Sequence, residues 1–174
     1  EGAPQNDIGY YSAYPSQFAD TENLQTISLQ QGSAAIDAPL VGAVGGLLSV
    51  KLNDPAQDFG GLLTLSLGSY DQRRLFLRLD SGQIGDTNMR AFVSYSNNRA
   101  DNWRGAGFDK RQHIDAKLLN EWGDGNRVAL NLSLNTATTS NYPAPTMAQW
   151  KAVGRDFNHD QRWSAGNDNY WKLY

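Results

Sequence analysis

Arg73-Arg74-Leu75-Phe76-Leu77-Arg78-Leu79-Asp80 places leucine at three alternate positions and sets three of its four charges, Arg74, Arg78 and Asp80, on the other side of the alternation. Successive side chains of a strand point to opposite faces. Leu75, Leu77 and Leu79 therefore share one face, and Arg74, Phe76, Arg78 and Asp80 share the other. The same division runs outward from Phe59 to Leu134. Ile114, Ala116 and Leu118 oppose His113, Asp115 and Lys117. Val128, Leu130, Leu132 and Leu134 oppose Arg127, Ala129, Asn131 and Ser133. Two architectures fit this pattern: a soluble sheet with a wet exterior, or a membrane barrel with a wet interior.

The connections help to choose. Strands are expected at about Gly60 to Tyr70, Arg73 to Ile84, Met89 to Trp103, Lys110 to Trp122 and Arg127 to Thr138, with a sixth starting near Asn167. Gly85-Asp86-Thr87-Asn88 and Gly123-Asp124-Gly125-Asn126 are tight turns at one end. Longer connections, above all residues 139–166, lie at the other. Outer-membrane barrels have this asymmetry, with short periplasmic turns and long external loops. The strands exceed the usual five or six residues of soluble sheets. Phe59, Trp103, Phe108, Trp122, Tyr170 and Trp171 fall near strand ends, where an interfacial girdle would hold them. No helix is expected after Phe59.

Residues 1–58 read differently. Glu1 to Asp20 is an irregular loop rich in Gly, Pro, Ser, Asn and Tyr. Short strands are expected at Leu24 to Gln30 and Leu47 to Leu52, with a small-residue stretch from Gly32 to Gly46 between them. Asn53-Asp54-Pro55 is a turn.

Composition excludes several classes. The net charge of −3 gives no basic stripe for nucleic acid. With no cysteine there is no disulfide, thiolate metal site or cysteine nucleophile. No signal peptide stands at Glu1, so the sequence is read as starting at a mature or internal position. Ala38 to Leu52, the longest largely apolar run, is too short for a spanning helix and contains Pro39 and three glycines. Catalytic patterns are lacking: there is no Gly-x-Ser-x-Gly, P-loop or dinucleotide fingerprint. His113-x-Asp115 is no metal site without further ligands, and His159-Asp160 is weaker still. No enzyme activity, cofactor or metal is expected.

Four segments carry a resemblance. Glu1-Gly2-Ala3-Pro4 looks like a step that precedes a substrate-facing plug loop. Ile27-Ser28-Leu29-Gln30-Gln31-Gly32-Ser33 and Gly42-Ala43-Val44-Gly45-Gly46-Leu47-Leu48-Ser49-Val50-Lys51 look like two plug strands. Phe59-Gly60-Gly61 followed by Gly68-Ser69-Tyr70-Asp71 looks like the first barrel strand and its hairpin. In this order and spacing they resemble the TonB-dependent outer-membrane receptors. Gln31 stands where that family usually has Arg, Ser33 where Pro is common, and Ala34 to Leu40 lacks the frequent Tyr-Gly; these departures bear on substrate type. A TonB box and the first half of the plug are not in the sequence. Plugged transporters have about 22 strands, so the chain is read as a piece of such a receptor.

The resemblance implies a mostly β fold forming part of a plugged transmembrane antiparallel β-barrel. Residues 1–58 would be the C-terminal part of the plug, and residues 59–174 would supply about six barrel strands. It implies a receptor in the outer membrane of a Gram-negative bacterium that imports a scarce substrate, a ferric siderophore by default. The implied partners are TonB and its inner-membrane motor, outer-membrane lipids and the small-molecule substrate. A passive porin-like channel and a soluble carbohydrate-binding β-sandwich are the alternatives. The substrate-binding candidates are Tyr10, Tyr11, Tyr14 and Phe18 at the plug apex and Tyr142, Trp150 and Trp163 in the long loop, which also holds Phe157 and His159. Aromatic faces suit sugar rings and planar ligands, and equally suit packing against a wall.

On the barrel reading Leu63, Leu65, Leu67, Leu75, Leu77, Leu79, Val93, Ile114, Leu118, Val128, Leu130 and Leu132 face lipid. Arg74, Arg78, Asp80, Arg90, Asp115, Lys117, Glu121 and Arg127 face the lumen and plug. Leu77→Arg should then impair assembly far more than Arg78→Leu.

Overall fold

The alternating stretches become strands, and their bounds agree with the expected ones to within two residues. A computed structural model describes residues 19–33, 38, 45–105, 107–140 and 144–157. Strands β1 (Leu24–Gln31) and β2 (Gly46–Leu52) pair antiparallel, with Ile27 opposite Val50 and Leu29 opposite Leu48. A register shift between Leu24 and Thr26 bends the start of β1. Strands β3 (Phe59–Gly68), β4 (Gln72–Gln83), β5 (Met89–Asp101), β6 (Phe108–Trp122) and β7 (Asn126–Thr138) follow as a meander. They form one sheet in sequence order. The chain is thus mostly β. The expected sixth strand near Asn167 lies outside the described residues.

Turn chemistry sets the register of the meander. Ile84 N donates to Met89 O at 2.9 Å and Thr87 N to Ile84 O at 3.2 Å, closing the turn between β4 and β5. Gly123 and Gly125 adopt φ of 55° and 87° between β6 and β7, a region that glycine enters without a Cβ clash. Gly82 has φ of 64°, and a Cβ there would stand 2.5 Å from Phe59 N. Glycine lets β4 approach the start of β3 at that point.

A helix, α1 (Met147–Val153), corrects the expectation of none after Phe59. Thr146 Oγ1 accepts from Gln149 N, and Gln149 Oε1 accepts from Thr146 N at 2.8 Å. This capping box satisfies two orphan donors and starts the helix. Gly154, with φ of 71°, ends it.

The chain divides into two compact units. The first comprises Glu1–Leu62, Leu77–Tyr95 and His113–Asn135; the second comprises Leu63–Phe76, Ser96–Gln112 and Thr136–Tyr174. In the first, the buried apolar residues are Leu52, Phe92 and Leu119, outnumbered by buried polar ones. Asp20, Asn23, Arg78, Asp80, Arg90, Ser94, His113, Asp115 and Lys117 all lie below 9 % exposure there. In the second, Phe76 and Ser96 are the fully buried pair.

The leucine face is the open one. Leu65 and Leu67 are 71 % and 85 % exposed, and Leu130 is 67 % exposed. Leu63, Leu75, Leu77, Leu79, Val93, Val128, Leu132 and Leu134 are exposed with them. Ile114 and Leu118, which alternate with buried His113, Asp115 and Lys117, are half-buried. Every residue of β7 is exposed, as befits a strand with one described neighbour.

Candidate functional site

The charged face of β4, β5 and β6 is buried against Asn23 and residues 52–56, and the contacts are specific. An ionised group buried without a partner is strongly disfavoured, so each must find one. Arg78 donates from Nε to Asp80 Oδ2 at 2.8 Å and from Nη2 to Asp80 Oδ1 at 2.7 Å. The same Nη2 reaches Asp54 O at 3.1 Å, and the guanidinium lies 3.9 Å from the Phe92 ring centroid. Asp80 Oδ1 also accepts from Ala56 N at 2.9 Å. The planar guanidinium suits this several-sided role better than an ammonium would.

Asn23 is the centre of a second group. It is fully buried. Its Nδ2 donates to Ser94 Oγ at 2.7 Å on β5 and to Asp115 Oδ2 at 2.9 Å on β6. Its Oδ1 accepts from Arg78 Nη1 at 3.3 Å on β4. Its main-chain oxygen accepts from Asn53 N at 2.7 Å. One amide thus ties the residues before β1 to three neighbouring strands.

Asp54 is the centre of a third. Lys117 Nζ, fully buried, lies 3.1 Å from Asp54 Oδ1 and also reaches Leu52 O. Arg127 grips both carboxylate oxygens of Asp54, with Nη1 to Oδ2 at 2.9 Å. The Arg127 hydrogen bonds hold the Asp54 carboxyl down to about 2, against burial, which pushes it up; Lys117 adds to the downward pull. Arg90 donates to Glu121 beside this group, and Arg127 lies 3.5 Å from the same carboxylate.

His113 shares hydrogen bonds with Asp115 Oδ1 (2.9 Å) and Asn135 Oδ1 (3.1 Å). Asp20 joins them, and one ligand atom from each of Asp20, His113 and Asp115 lies within 4.8 Å of the others. Asp115 already spends one oxygen on His113 and the other on Asn23. Protein groups therefore satisfy it, and the cluster reads as polar packing.

A cleft of about 410 Å³ opens at the short-turn end of the first unit. Gln57, Gln83, Arg90, Glu121, Trp122 and Arg127 line it. Its walls mix both charges with neutral amides, the lining of a hydrated space.

The expected lumen residues Arg78, Asp80, Arg90, Asp115 and Lys117 are brought together here; Glu121 and Arg127 stand at its partly exposed edge. The partnership of Arg78 sets what Arg78→Leu would cost. Removing one member of a buried ion pair costs about 3–5 kcal/mol, so that variant is not mild.

Of the substrate-binding candidates, Tyr10, Tyr11, Tyr14, Phe18, Tyr142 and Trp163 lie outside the described residues. Trp150 is on α1, partly exposed, with the Arg104 guanidinium 5.9 Å from its ring. Arg104 Nη2 also donates to Phe157 O at 3.0 Å, so this arginine joins the β5–β6 connection to the segment that carries the tryptophan.

Asn23, Asp20 and Asp54 escaped sequence reasoning as functional positions. Their partners lie far away in sequence, 92 residues in the case of Asn23 and Asp115. The only local signal was the turn at Asn53-Asp54-Pro55. No family model, curated protein or solved structure matches the chain.

Proposed function

We propose that the chain is part of an energy-coupled outer-membrane receptor, with residues 1–58 as plug and the sheet from Phe59 as barrel wall. One observation carries the reading: the burial is inverted. Exposed leucines line one side of long strands, and buried polar and charged groups on the other side grip Asn23 and residues 52–56. In water that arrangement would leave a broad apolar face wet, which soluble monomers avoid. In a bilayer the same face meets hydrocarbon, and the polar face lines a filled lumen. A carbohydrate-binding sandwich would instead bury the leucines against a second sheet.

The strands have 10 to 15 residues. About 9–11 tilted residues cross a hydrocarbon core. The outer strands β3 and β7 each have one described neighbour. Lipid penalises open backbone edges, so the working wall needs further strands. Substrate would bind on the external side, and force transmitted by TonB would disturb the contacts of the plug with the wall. A ferric siderophore is the default substrate.

The test uses the full-length protein in cells starved of iron. Uptake of radiolabelled ferric siderophore that stops when the proton gradient is collapsed supports the reading. Uptake that persists favours a passive porin-like channel. A receptor that stays monodisperse in buffer without detergent contradicts the membrane reading.

A further inference from the structure

The second unit carries a pocket beside the connection between β3 and β4. Its volume is about 390 Å³. Leu65 and Leu67 of β3 and Leu75 of β4 give it an apolar lining, and Arg73 and Arg99, at odd positions like these leucines, line it together with Arg74, Ser66 and Asn97. No acidic residue lines it. The Arg99 guanidinium also lies 4.8 Å from the ring centroid of Phe108 on the next strand. The ends of β3, β4 and β5 meet here, where Asp101 N donates to Tyr70 O at 2.7 Å.

Two cations beside bare leucines form an amphiphilic surface. Arg73 and Arg99 pair with Asp71 and Asp101 at 2.6 and 3.6 Å, but all four side chains are about half exposed or more. Such pairs contribute little and exchange readily for a better anion. Arginine offers a phosphate two parallel donors. Among the described residues of this unit, basic side chains outnumber acidic ones.

We propose that this pocket binds a phosphorylated lipid of the outer leaflet, with its phosphate between Arg73 and Arg99 and an acyl chain along Leu65, Leu67 and Leu75. The assignment rests on the membrane reading above. The occupant is a lipid and not a free anion, because half of the pocket is hydrocarbon that a bare phosphate leaves wet.

The test is binding of bisphosphorylated lipid A to the full-length protein in detergent, read by native mass spectrometry. Arg73→Gln with Arg99→Gln should weaken it about fivefold per arginine and ~25-fold together. Arg73→Lys with Arg99→Lys should retain most of it. Arg155→Gln, exposed in the same unit, should leave it unchanged. Lipid A stripped of phosphate should bind weakly to every form. Unchanged lipid A binding by the double glutamine variant overturns the site. Competition by millimolar inorganic phosphate overturns its lipid character. Wild-type protein that fails to enter bilayers at all overturns the membrane reading instead, a result separate from either.

Discussion

At the residue scale, single polar side chains hold distant segments together. Asn23 is the clearest. Asn23→Leu removes the donors to Ser94 and Asp115 and leaves a carboxylate oxygen and a hydroxyl buried without that partner. An unsatisfied buried group costs about 1–3 kcal/mol. The midpoint of unfolding should fall accordingly in a denaturant titration, while Asn131→Leu, on the exposed β7, should stay within ~0.5 kcal/mol of wild type. Asp54 makes a pH-dependent contribution. Its carboxyl titrates at about 2 when folded against an ordinary 3.8. The unfolded chain therefore takes up the proton first as pH falls. The stabilisation by Arg127 and Lys117 is complete above about pH 4 and is lost as pH drops toward 2. Unfolding midpoints at pH 5 and pH 2.5 should differ more for wild type than for Asp54→Asn. None of this was legible in the sequence, because a hydrogen bond across 92 residues leaves no local periodicity.

At the scale of elements, the sequence was far more readable. A period of two in apolar residues is local, and it marked β3 to β7 and their two faces. Helix α1 was missed for an equally local reason. Thr146 and Gln149 form a capping box, but the seven residues after Thr146 are too few to show a helical stripe. Reading Thr-x-x-Gln ahead of Met147 as a start signal would have found it. The faces of β4 supply a prediction. Leu77→Arg puts a charge where hydrocarbon is proposed and costs roughly 2–4 kcal/mol at the midplane. Arg78→Leu strands Asp80, and adding Asp80→Leu should recover part of that loss, because a vacated ion pair can be replaced by packing. Folded yield in outer-membrane fractions should rise from Arg78→Leu to the double variant. No second change on the buried face should rescue Leu77→Arg.

At the scale of the molecule, one rule organises the rest: apolar side chains outside, ion pairs inside. Composition pointed only weakly to it, since a net charge of −3 and ordinary apolar content say nothing of which side faces out. The alternation gave two faces but not which of them is covered; burial of Arg78, Asp115 and Lys117 against Asn23 and residues 52–54 distinguishes them. The chain has no cysteine, so single cysteines can be introduced along β4 and β7 and labelled one at a time. Full-length protein in vesicles containing a lipid-borne collision quencher gives the most direct measurement. Labels at positions 75, 77, 79, 130 and 132 should be quenched strongly, and labels at 129, 131 and 133, on the other face of β7, hardly at all. Quenching without that two-residue period, or leucine positions reached only by a water-soluble quencher, would contradict the account.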